Sequence, residues 1–412
     1  MKSYDYLIIG GGIAGTTAAA TIRVNDTDGT IAIVEREPYL LHSRIMLSKA
    51  PYFLGKVDEG KIFMKDECWY PDNRIDLIGE SEVTSIDTKA KIVKVSDDEI
   101  GYGKLLIATG ACARRWPVEG ADKKGVHYMR TLDEARALIA DTKSAKQAVT
   151  IGGGFISFEV ADLLRKANID VTNIILEDYF WEPILDEVGG KMVEAEMEKA
   201  GVKIMRKSEV EKVIGDARVS GVELKDGTSV DCDMIVAGIG VKCELNMIAQ
   251  AGLEVDHGII ADEYLKSNVD DVWIAGDVAE YRDNILGDVV IMANWANAQE
   301  QGRVAGLNMA GKNEEFKFVS FYTSQGFGLS VTFVGNVRVA DDRETITRGS
   351  AEEGRYARLI IKGGELVGAT LINMTPEMTT IRKLIEDNID VSDQIDNLAD
   401  SKFDINTLLH AK

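Results

Sequence analysis

Short apolar runs alternate with helix-like stretches along most of the chain. The apolar run at residues 6–9 precedes a glycine-rich loop, and the run at residues 149–151 precedes a closely similar loop. Each loop leads into a helix-like stretch and then into another apolar run, which ends in an acidic residue, Glu35 or Glu177. Strands that alternate with helices predict parallel sheets with βαβ connections. The sequence is therefore predicted to be an α/β protein with a duplicated unit.

Each copy of the unit continues in the same way. An apolar run that ends in glycine closes both copies, at residues 104–111 and 234–241, and a region of alternating apolar residues precedes each run. The first region predicts hairpin turns at Thr88-Lys89 and Asp97-Asp98, and the second predicts one at Asp226-Gly227. Both units are therefore predicted to carry a small β excursion before their last strand.

The pattern changes after about Gly311. Alternating apolar stretches, a hairpin turn at residues 362–365 and a helix-like segment around residues 377–388 predict a small α+β unit at the C-terminus. No proline- or serine-rich linker separates the parts. We therefore expect domains that are packed against one another.

Composition excludes several classes of function. The 412 residues carry a net charge of −21, which argues against nucleic acid and anionic membrane surfaces as partners. A run of about 18 apolar residues is missing, and the first strand begins too early to leave room for a signal peptide, so a cytoplasmic protein is expected. The four cysteines lack C-x-x-C spacing and the four histidines are scattered, so neither a redox dithiol nor a metal site is predicted.

The first loop has the spacing of a dinucleotide-binding fingerprint. In Gly10-x-Gly12-x-x-Gly15 the glycines permit a tight turn, close approach of a pyrophosphate, and close packing of the helix on the strand. The helix that follows offers free N–H groups to phosphate. Glu35, 20 residues after Gly15, is placed to accept hydrogen bonds from a ribose. The predicted contacts of this loop also include Ile13, Ala14 and Arg36.

The second loop differs at its third glycine. Gly152 and Gly154 are kept, but Ser157 stands where the first loop has Gly15. A serine is small enough for the helix to pack, and we expect its hydroxyl to bond to the preceding helical turn. Glu177 would repel the 2′-phosphate of NADPH, so this loop, together with Ile156, is predicted to bind NADH.

Two loops imply two dinucleotides. FAD and NADH form the expected pair, because a flavin accepts a hydride and releases single electrons. We predict a discontinuous FAD-binding domain at residues 1–112 and 244–316, an NAD-binding domain at residues 113–243, and a C-terminal α+β interface domain at residues 317–412.

With these motifs, nearly the whole chain resembles the two-dinucleotide-fold flavoproteins of the pyridine nucleotide–disulfide oxidoreductase superfamily. Beside the two loops it has "IATGA", which contains Ala108, Thr109 and Gly110, and "VWIAGDVAE", which contains Gly276 and Asp277. The resemblance implies that these residues contact FAD and that Asp277 binds its ribityl chain.

Within the superfamily the chain is most similar to the ferredoxin reductase, rubredoxin reductase and apoptosis-inducing-factor type. The segment "EPYLLHSRIMLSK" resembles a motif of that branch, although the stretch from Tyr39 to Arg44 is three residues longer. The resemblance implies that Arg44 and Lys49 contact FAD and that Lys49 pairs with Glu159. An ammonium group near the flavin would stabilise negative charge on the reduced ring.

Further positions match the branch one by one. The resemblance implies FAD contacts for Val83, Arg130 and Trp295, and an NAD contact for Gly240. It also leaves two readings open for Phe155: an aromatic that covers the flavin face where nicotinamide binds, or a core aromatic at the turn.

The chain departs from the disulfide reductases, because Leu41-His42-Ser43-Arg44 stands where related enzymes place a cysteine. We therefore predict an NADH-dependent FAD flavoprotein that exchanges electrons with a small iron–sulfur or rubredoxin-like carrier, in either direction, with Lys49, Glu159 and Phe155 as catalytic residues. Arg114 and Arg115 are candidates for a basic patch that such an acidic carrier would need. An NADH oxidase or diaphorase, and a flavin-bearing subunit or redox-sensing interaction protein, remain alternatives, and a homodimer is left open.

Overall fold

The structure is a computed structural model, which describes residues 1–410. The strands, numbered in chain order, are β1 Lys2–Ile9, β2 Ile31–Val34, β3 Ile75–Ile78, β4 Val83–Asp87, β5 Ile92–Val95, β6 Asp98–Ile107, β7 Cys112–Ala113, β8 Val126–His127, β9 Gln147–Ile151, β10 Asp170–Ile174, β11 Val202–Met205, β12 Val210–Ile214, β13 Gly221–Leu224, β14 Ser229–Asp231, β15 Met234–Ala237, β16 Val241–Lys242, β17 Ile259–Ala261, β18 Val272–Ile274, β19 Ala279–Arg282, β20 Val289–Val290, β21 Phe321–Gly326, β22 Leu329–Gly335, β23 Glu344–Ser350, β24 Arg355–Lys362 and β25 Glu365–Ile372. The α-helices are α1 Ile13–Asn25, α2 Ala50–Phe53, α3 Trp69–Asp72, α4 Leu132–Thr142, α5 Phe155–Lys166, α6 Glu187–Lys199, α7 Asn246–Gln250, α8 Trp295–Met309, α9 Met378–Glu386 and α10 Ile395–Ala399. Short 3-10 helices span Arg44–Ser48, Glu59–Ile62, Thr375–Glu377, Ser392–Gln394 and Ile405–His410.

These elements form two compact units. The first unit comprises Met1–Ser43, Glu59–Cys112 and Lys242–Ser320. The second unit comprises Arg44–Asp58, Ala113–Val241 and the described residues from Phe321 on. The short segment Arg44–Asp58 thus belongs to the second unit by its contacts, and the finer three-domain division stays a prediction.

The first unit is built on a sheet in the order β3-β2-β1-β6-β5-β4, with β18 also paired to β6. Strands β1, β2, β3, β6 and β18 are parallel neighbours, whereas β4 and β5 form the predicted antiparallel excursion. Helix α8 lies close against α1, because Gly302 and Gly306 face the backbone of Ala14 and Ala18. A Cβ on Gly302 would lie 2.2 Å from the oxygen of Ala14, so only glycine permits this approach.

The second unit repeats the parallel arrangement. Its first sheet has the order β11-β10-β9-β15-β8, and β12, β13 and β14 form an antiparallel excursion between β11 and β15 in the chain. The hairpin turn at Asp226-Gly227 joins β13 to β14, as predicted. The duplicated α/β architecture is confirmed.

The C-terminal part of the second unit is an antiparallel sheet in the order β21-β22-β25-β24-β23, with α9 beside β22 and β25. The turn between β24 and β25 uses Gly363 and Gly364 at positive φ, where glycine meets no steric penalty. The predicted α+β character of this part is confirmed.

Candidate functional site

The predicted nucleotide-contacting residues of the first unit follow the ends of parallel strands. Ile9 is aligned with Val34 and with Ile107, and Ile107 is aligned with Ile274. The residues that come next are Gly10, Glu35, Ala108 and, three positions after β18, Asp277. Carboxyl ends of parallel strands meet at one edge of the sheet, which is where open α/β sheets bind ligands. The fold therefore brings these residues to one edge.

Each of the three glycines of the first loop is required for a different physical reason. Gly10 has a φ of +108°, and a Cβ there would lie 2.3 Å from the oxygen of Ala108. At Gly15 a Cβ would lie 1.9 Å from the oxygen of Gly10, so the helix could not lie so close to the loop. Gly12 has open space where a Cβ would stand. The first and third glycines thus serve the fold, and the second keeps a space free beside the loop.

Helix α1 presents an uncapped N-terminus beside that space. Its N-cap is Gly12, which has no side chain to bond the first N–H groups, and the first turn carries no acidic residue. Free N–H groups and the positive end of the helix dipole suit a phosphate group. The loop therefore fits the pyrophosphate of a dinucleotide.

Glu35 is held in place by the backbone around it. Its Oε2 accepts a hydrogen bond from the N–H of Gly11 at 2.6 Å, and its Oε1 accepts one from the N–H of Glu37 at 2.9 Å. Both carboxylate oxygens are thereby fixed toward the loop. Arg36 follows on the exposed side, 4.0 Å from the sulfur of Cys112.

The segment after β18 is anchored to α8. Gly276 has a φ of +86°, and its N–H donates to Oε1 of the fully buried Gln301 at 2.6 Å. Trp295 is the first residue of α8 and is half-buried, and Asn294 caps the helix by accepting from the N–H of Asn297. Gln301 was missed by sequence reasoning, because an isolated glutamine within a helix gives no signal of a backbone anchor.

The second loop has the same plan with one change. Gly152 has a φ of +100° and a Cβ there would lie 2.7 Å from the oxygen of Gly238, whereas a Cβ on Gly154 would meet nothing closer than 3.7 Å. Gly154 is the uncapped N-cap of α5. Ser157 donates its hydroxyl to the carbonyl oxygen of Ile151 at 2.9 Å. The expected bond to the preceding helical turn is wrong, because the serine is close enough to reach the end of the strand instead.

Glu177 differs from Glu35 in its surroundings. Its Oε2 is buried and has no hydrogen-bond partner within residues 1–410. The next residue, Asp178, pairs with Nζ of Lys207 at 2.7 Å, and the backbone N–H of Lys207 donates to the backbone carbonyl oxygen of Glu177. Lys207 comes 30 positions after Glu177 in the sequence. A search for basic residues immediately after Glu177 therefore could not find it. A buried oxygen without a donor fits a ligand hydroxyl group.

Lys49 and Glu159 form a close ion pair in the second unit. Nζ of Lys49 lies 2.6 Å from Oε1 of Glu159, whose side chain is largely buried. Two hydroxyl groups also donate to this carboxylate: Ser48, and Ser324 at 2.8 Å. The predicted pairing is confirmed, whereas neither serine was predicted.

Phe155 stands at the first position of α5 within a group of aromatic rings. Its ring centroid lies 5.0 Å from that of Trp181, 4.9 Å from Tyr322 and 5.3 Å from Phe333. The contacts with Tyr322 and Phe333 are edge-to-face and the contact with Trp181 is tilted, and such contacts stabilise a packed aromatic cluster. The core-aromatic reading of Phe155 thus has direct support, although the side chain stays half-buried rather than enclosed.

The other predicted site residues differ in their contacts and in their exposure to solvent. Arg44 donates to the oxygen of Arg130 at 2.9 Å, so these two lie together. Gly240 has a φ of +92° and accepts from the N–H of Arg114. Arg115 pairs with Glu134 at 2.8 Å, so its charge is offset. The rest are half-buried at Ile13, Val83, Gly110 and Ile156, buried at Ala14 and Ala108, and exposed at Thr109.

Two glycine loops, each at the carboxyl edge of its own parallel sheet, define a protein with two dinucleotide-binding folds. Residues 4–302 match the pyridine nucleotide-disulphide oxidoreductase family, and residues 321–409 match the reductase C-terminal family. The chain belongs to the pyridine nucleotide-disulphide oxidoreductase family.

Individual relatives agree with this assignment. Rhodocoxin reductase of Rhodococcus erythropolis is 31% identical over 97% of this chain and 93% of its own. The nitrite reductase [NAD(P)H] of Bacillus subtilis is 30% identical over 95% of this chain but only 48% of its own, so this chain spans about half the length of that relative. The crystal structure of the ferredoxin reductase for the CYP199A2 system of Rhodopseudomonas palustris has 27% identity and a TM-score of 0.90, over 98% of this chain and 99% of that one.

The protein is an oxidoreductase whose cofactors are FAD and a nicotinamide dinucleotide. The geometry of both loops fits such cofactors. Among residues 1–410, the helices are all too short or too polar to cross a membrane.

Proposed function

We propose that the protein is an FAD-dependent oxidoreductase that passes electrons between NADH and a small ferredoxin- or rubredoxin-like carrier protein. The observation that carries the proposal is the pair of glycine loops, one with an acid already bonded to its own backbone and one with an acid that has an unpartnered oxygen. The names of the relatives, which include a rhodocoxin reductase and a ferredoxin reductase, support a protein carrier.

The first loop is proposed to hold FAD. Gly12 and the N-terminus of α1 would contact the pyrophosphate, Glu35 the adenosine ribose, and Asp277 the ribityl chain. The proposed FAD contacts of Arg36, Val83, Trp295 and the segment Ala108-Thr109-Gly110 rest on the family motif, as do those of Arg44, Lys49 and Arg130.

The second loop is proposed to bind NADH. The space beside Gly154 and the N-terminus of α5 suit the pyrophosphate, with Gly152 and Ile156 shaping the turn. Glu177 would accept hydrogen bonds from the 2′-hydroxyl and repel a 2′-phosphate. Gly240 would lie along the nucleotide and Phe155 beside the nicotinamide.

The ion pair explains how this chain could assist hydride transfer. FAD, when bound, supplies a centre that takes up a hydride and gives up single electrons. The Lys49 ammonium group would stabilise developing negative charge, and Glu159 would keep that ammonium oriented. Removing one partner of such a pair leaves the other charge buried without compensation.

The chain provides no thiol for a disulfide relay at the expected position. Leu41-His42-Ser43-Arg44 occupies the place where related enzymes have a cysteine, and within residues 1–410 the four cysteines form no disulfide. Electrons would therefore leave for the carrier without a cysteine intermediate.

The proposed location is the cytoplasm. Fractionation of cells would then place the protein with cytosolic markers.

A stopped-flow experiment tests the function. The purified yellow protein is mixed with NADH or NADPH while the flavin absorbance is followed, and the reduced protein is then mixed with a [2Fe–2S] ferredoxin or a rubredoxin. We expect reduction by NADH in preference to NADPH, followed by rapid reoxidation by at least one carrier.

Other outcomes would contradict the proposal. Rapid oxygen consumption without carrier reduction would favour the oxidase reading. A large change in sedimentation on adding NADH, with negligible turnover on both carriers, would favour a redox-sensing subunit. A preference for NADPH would overturn the assignment of Glu177.

A further inference from the structure

The carboxylate of Glu159 is held by three side chains from two separate stretches of the chain. Lys49 reaches Oε1 at 2.6 Å, Ser48 donates to Oε2, and Ser324 donates to Oε1 at 2.8 Å. All four residues belong to the second unit. Glu159 is only 8% exposed and Ser324 only 2%, so the hydrogen bond between them is shielded from solvent. The C-terminal part of the chain thus reaches the ion pair through one buried hydroxyl group.

The contact follows from how β21 lies along α5. Side chains at i and i+2 of a strand point to one face and are about 6.6 Å apart, whereas one helical turn rises about 5.4 Å. The pair Tyr322 and Ser324 on β21 therefore matches the pair Phe155 and Glu159 on α5. Tyr322 lies against Phe155, with ring centroids 4.9 Å apart, and Ser324 lies against Glu159.

The same register continues one step further along the strand. A Cβ on Gly326 would lie 2.9 Å from a ring carbon of Phe158, so the strand lies against the helix at this position. The N–H of Phe327 donates to Oδ1 of Asp162 at 3.0 Å. Contacts at both ends of β21 therefore fix the position of Ser324 between them.

A fixed donor matters because Lys49 alone does not define where the carboxylate points. A lysine side chain is flexible and its ammonium group bonds over a range of directions. The two serine hydroxyl groups add charge-assisted hydrogen bonds on opposite oxygens, which restrict rotation of the carboxylate. This arrangement orients Glu159 and, through it, Lys49.

We propose that Ser324 is a positioning residue for Glu159, through which the C-terminal part of the chain orients the ion pair toward the nicotinamide. The inference rests on the proposed function, since it assigns the ion pair to the site where NADH reacts. Ser324 itself needs no contact with substrate or cofactor.

The test compares Ser324→Ala with Ser324→Thr, which keeps the hydroxyl group, and with Thr323→Ala. Thr323 is the adjacent residue on β21 and its hydroxyl bonds to Thr332 instead of Glu159, so it controls for loss of a hydroxyl on this strand. The measurements are the rate of flavin reduction at saturating NADH, the affinities for NAD⁺ and ADP-ribose by calorimetry, and the melting temperature.

We expect Ser324→Ala to lower the rate of flavin reduction by roughly 10-fold and to weaken NAD⁺ several-fold, as for a lost hydrogen bond to a charged group. ADP-ribose lacks the nicotinamide, so its affinity should stay within about 2-fold. Ser324→Thr should recover most of the rate, and Thr323→Ala should behave as wild type.

The outcomes separate this inference from the proposed function. A wild-type flavin that NADH does not reduce would overturn the function and the inference together. Normal reduction of Ser324→Ala would overturn the inference alone. Equal losses of NAD⁺ and ADP-ribose affinity, or a failure of threonine to restore the rate, would assign Ser324 to general stability and overturn the positioning role.

Discussion

The two glycine loops share a plan but differ in how their acids and helices are held. In the first loop, Glu35 accepts two backbone hydrogen bonds and Gly15 lets α1 lie against the loop. In the second loop, Ser157 bonds to the end of β9, and Glu177 has a buried oxygen with no partner within residues 1–410. The first acid is thus oriented before any ligand arrives, whereas the second still lacks a hydrogen bond that a ligand can supply.

This difference indicates different uses for one motif. An acid fixed by its own backbone keeps its geometry whether or not ligand is present, which suits a resident cofactor. An acid with an unmet hydrogen bond gains more when ligand binds, which suits selection between nucleotides. The following experiments test the comparison, from the largest expected effect to the smallest.

Exchanging the third residue between the loops should have unequal effects. Gly15→Ser places a Cβ 1.9 Å from the oxygen of Gly10, so the backbone must move, and we expect a loss of roughly 3 kcal/mol or more in unfolding free energy. Ser157→Gly loses one hydrogen bond and some helix propensity, about 1–2 kcal/mol. Denaturant unfolding and FAD content measure both variants. Equal losses would show that the two positions carry the same constraint.

Removing each acid should affect a different cofactor. Glu177→Ala should shift the ratio of kcat/KM for NADPH to that for NADH by roughly 10- to 100-fold toward NADPH, because a hydrogen bond to charge and a repulsion are both lost. Glu35→Ala is the matched control and should lower FAD retention while leaving the ratio unchanged. A change in nucleotide preference with Glu35→Ala would contradict the assignment of the two loops.

Lys207 should determine how far that preference can shift. Asp178 raises the pKa of Lys207 through their hydrogen bond, so the lysine is charged but neutralised. In the Glu177→Ala background, Lys207→Ala should remove roughly 3-fold of the gain in NADPH use, the small effect expected of an exposed charge. Lys225→Ala, whose partner is Glu209, is a control on the same unit. An equal effect of both lysines would show that only the net charge matters.

The smallest effect concerns acid stability, which should depend on the second unit. Burial lowers the pKa of His127 in β8, and Asp141, 2.7 Å away, opposes this only in part; Arg218 on the same carboxylate adds to the lowering. The unfolded chain therefore binds more protons, so stability is full above the unfolded value of about 6.5 and declines as pH falls below it. Melting temperatures from pH 7.5 to 5 should fall less steeply for His127→Gln. Identical pH dependence of the melting temperature in the wild type and in His127→Gln would show that His127 does not cause the loss of stability in acid.

Local patterns predicted much of the fold. Glycine loops after apolar runs fixed both βαβ units, and Asp226-Gly227 predicted its hairpin, because turn chemistry acts over a few residues. The Lys49–Glu159 pair was predicted from a family motif. Ser324 and Lys207 could not be found in this way, because their roles come from which strand lies beside which helix. Lone serines and lysines give the same local signal wherever they stand.

The bonds on Glu159 also constrain the order in which the molecule can be assembled. Lys49 and Glu159 are 110 positions apart, and Ser324 comes 165 positions later still. Contacts across such distances close large loops of chain, which costs conformational entropy. During synthesis, the carboxylate could first meet Lys49 and would gain its last donor only after β21 had emerged. A fragment restricted to residues 4–302 would lack that donor at every stage.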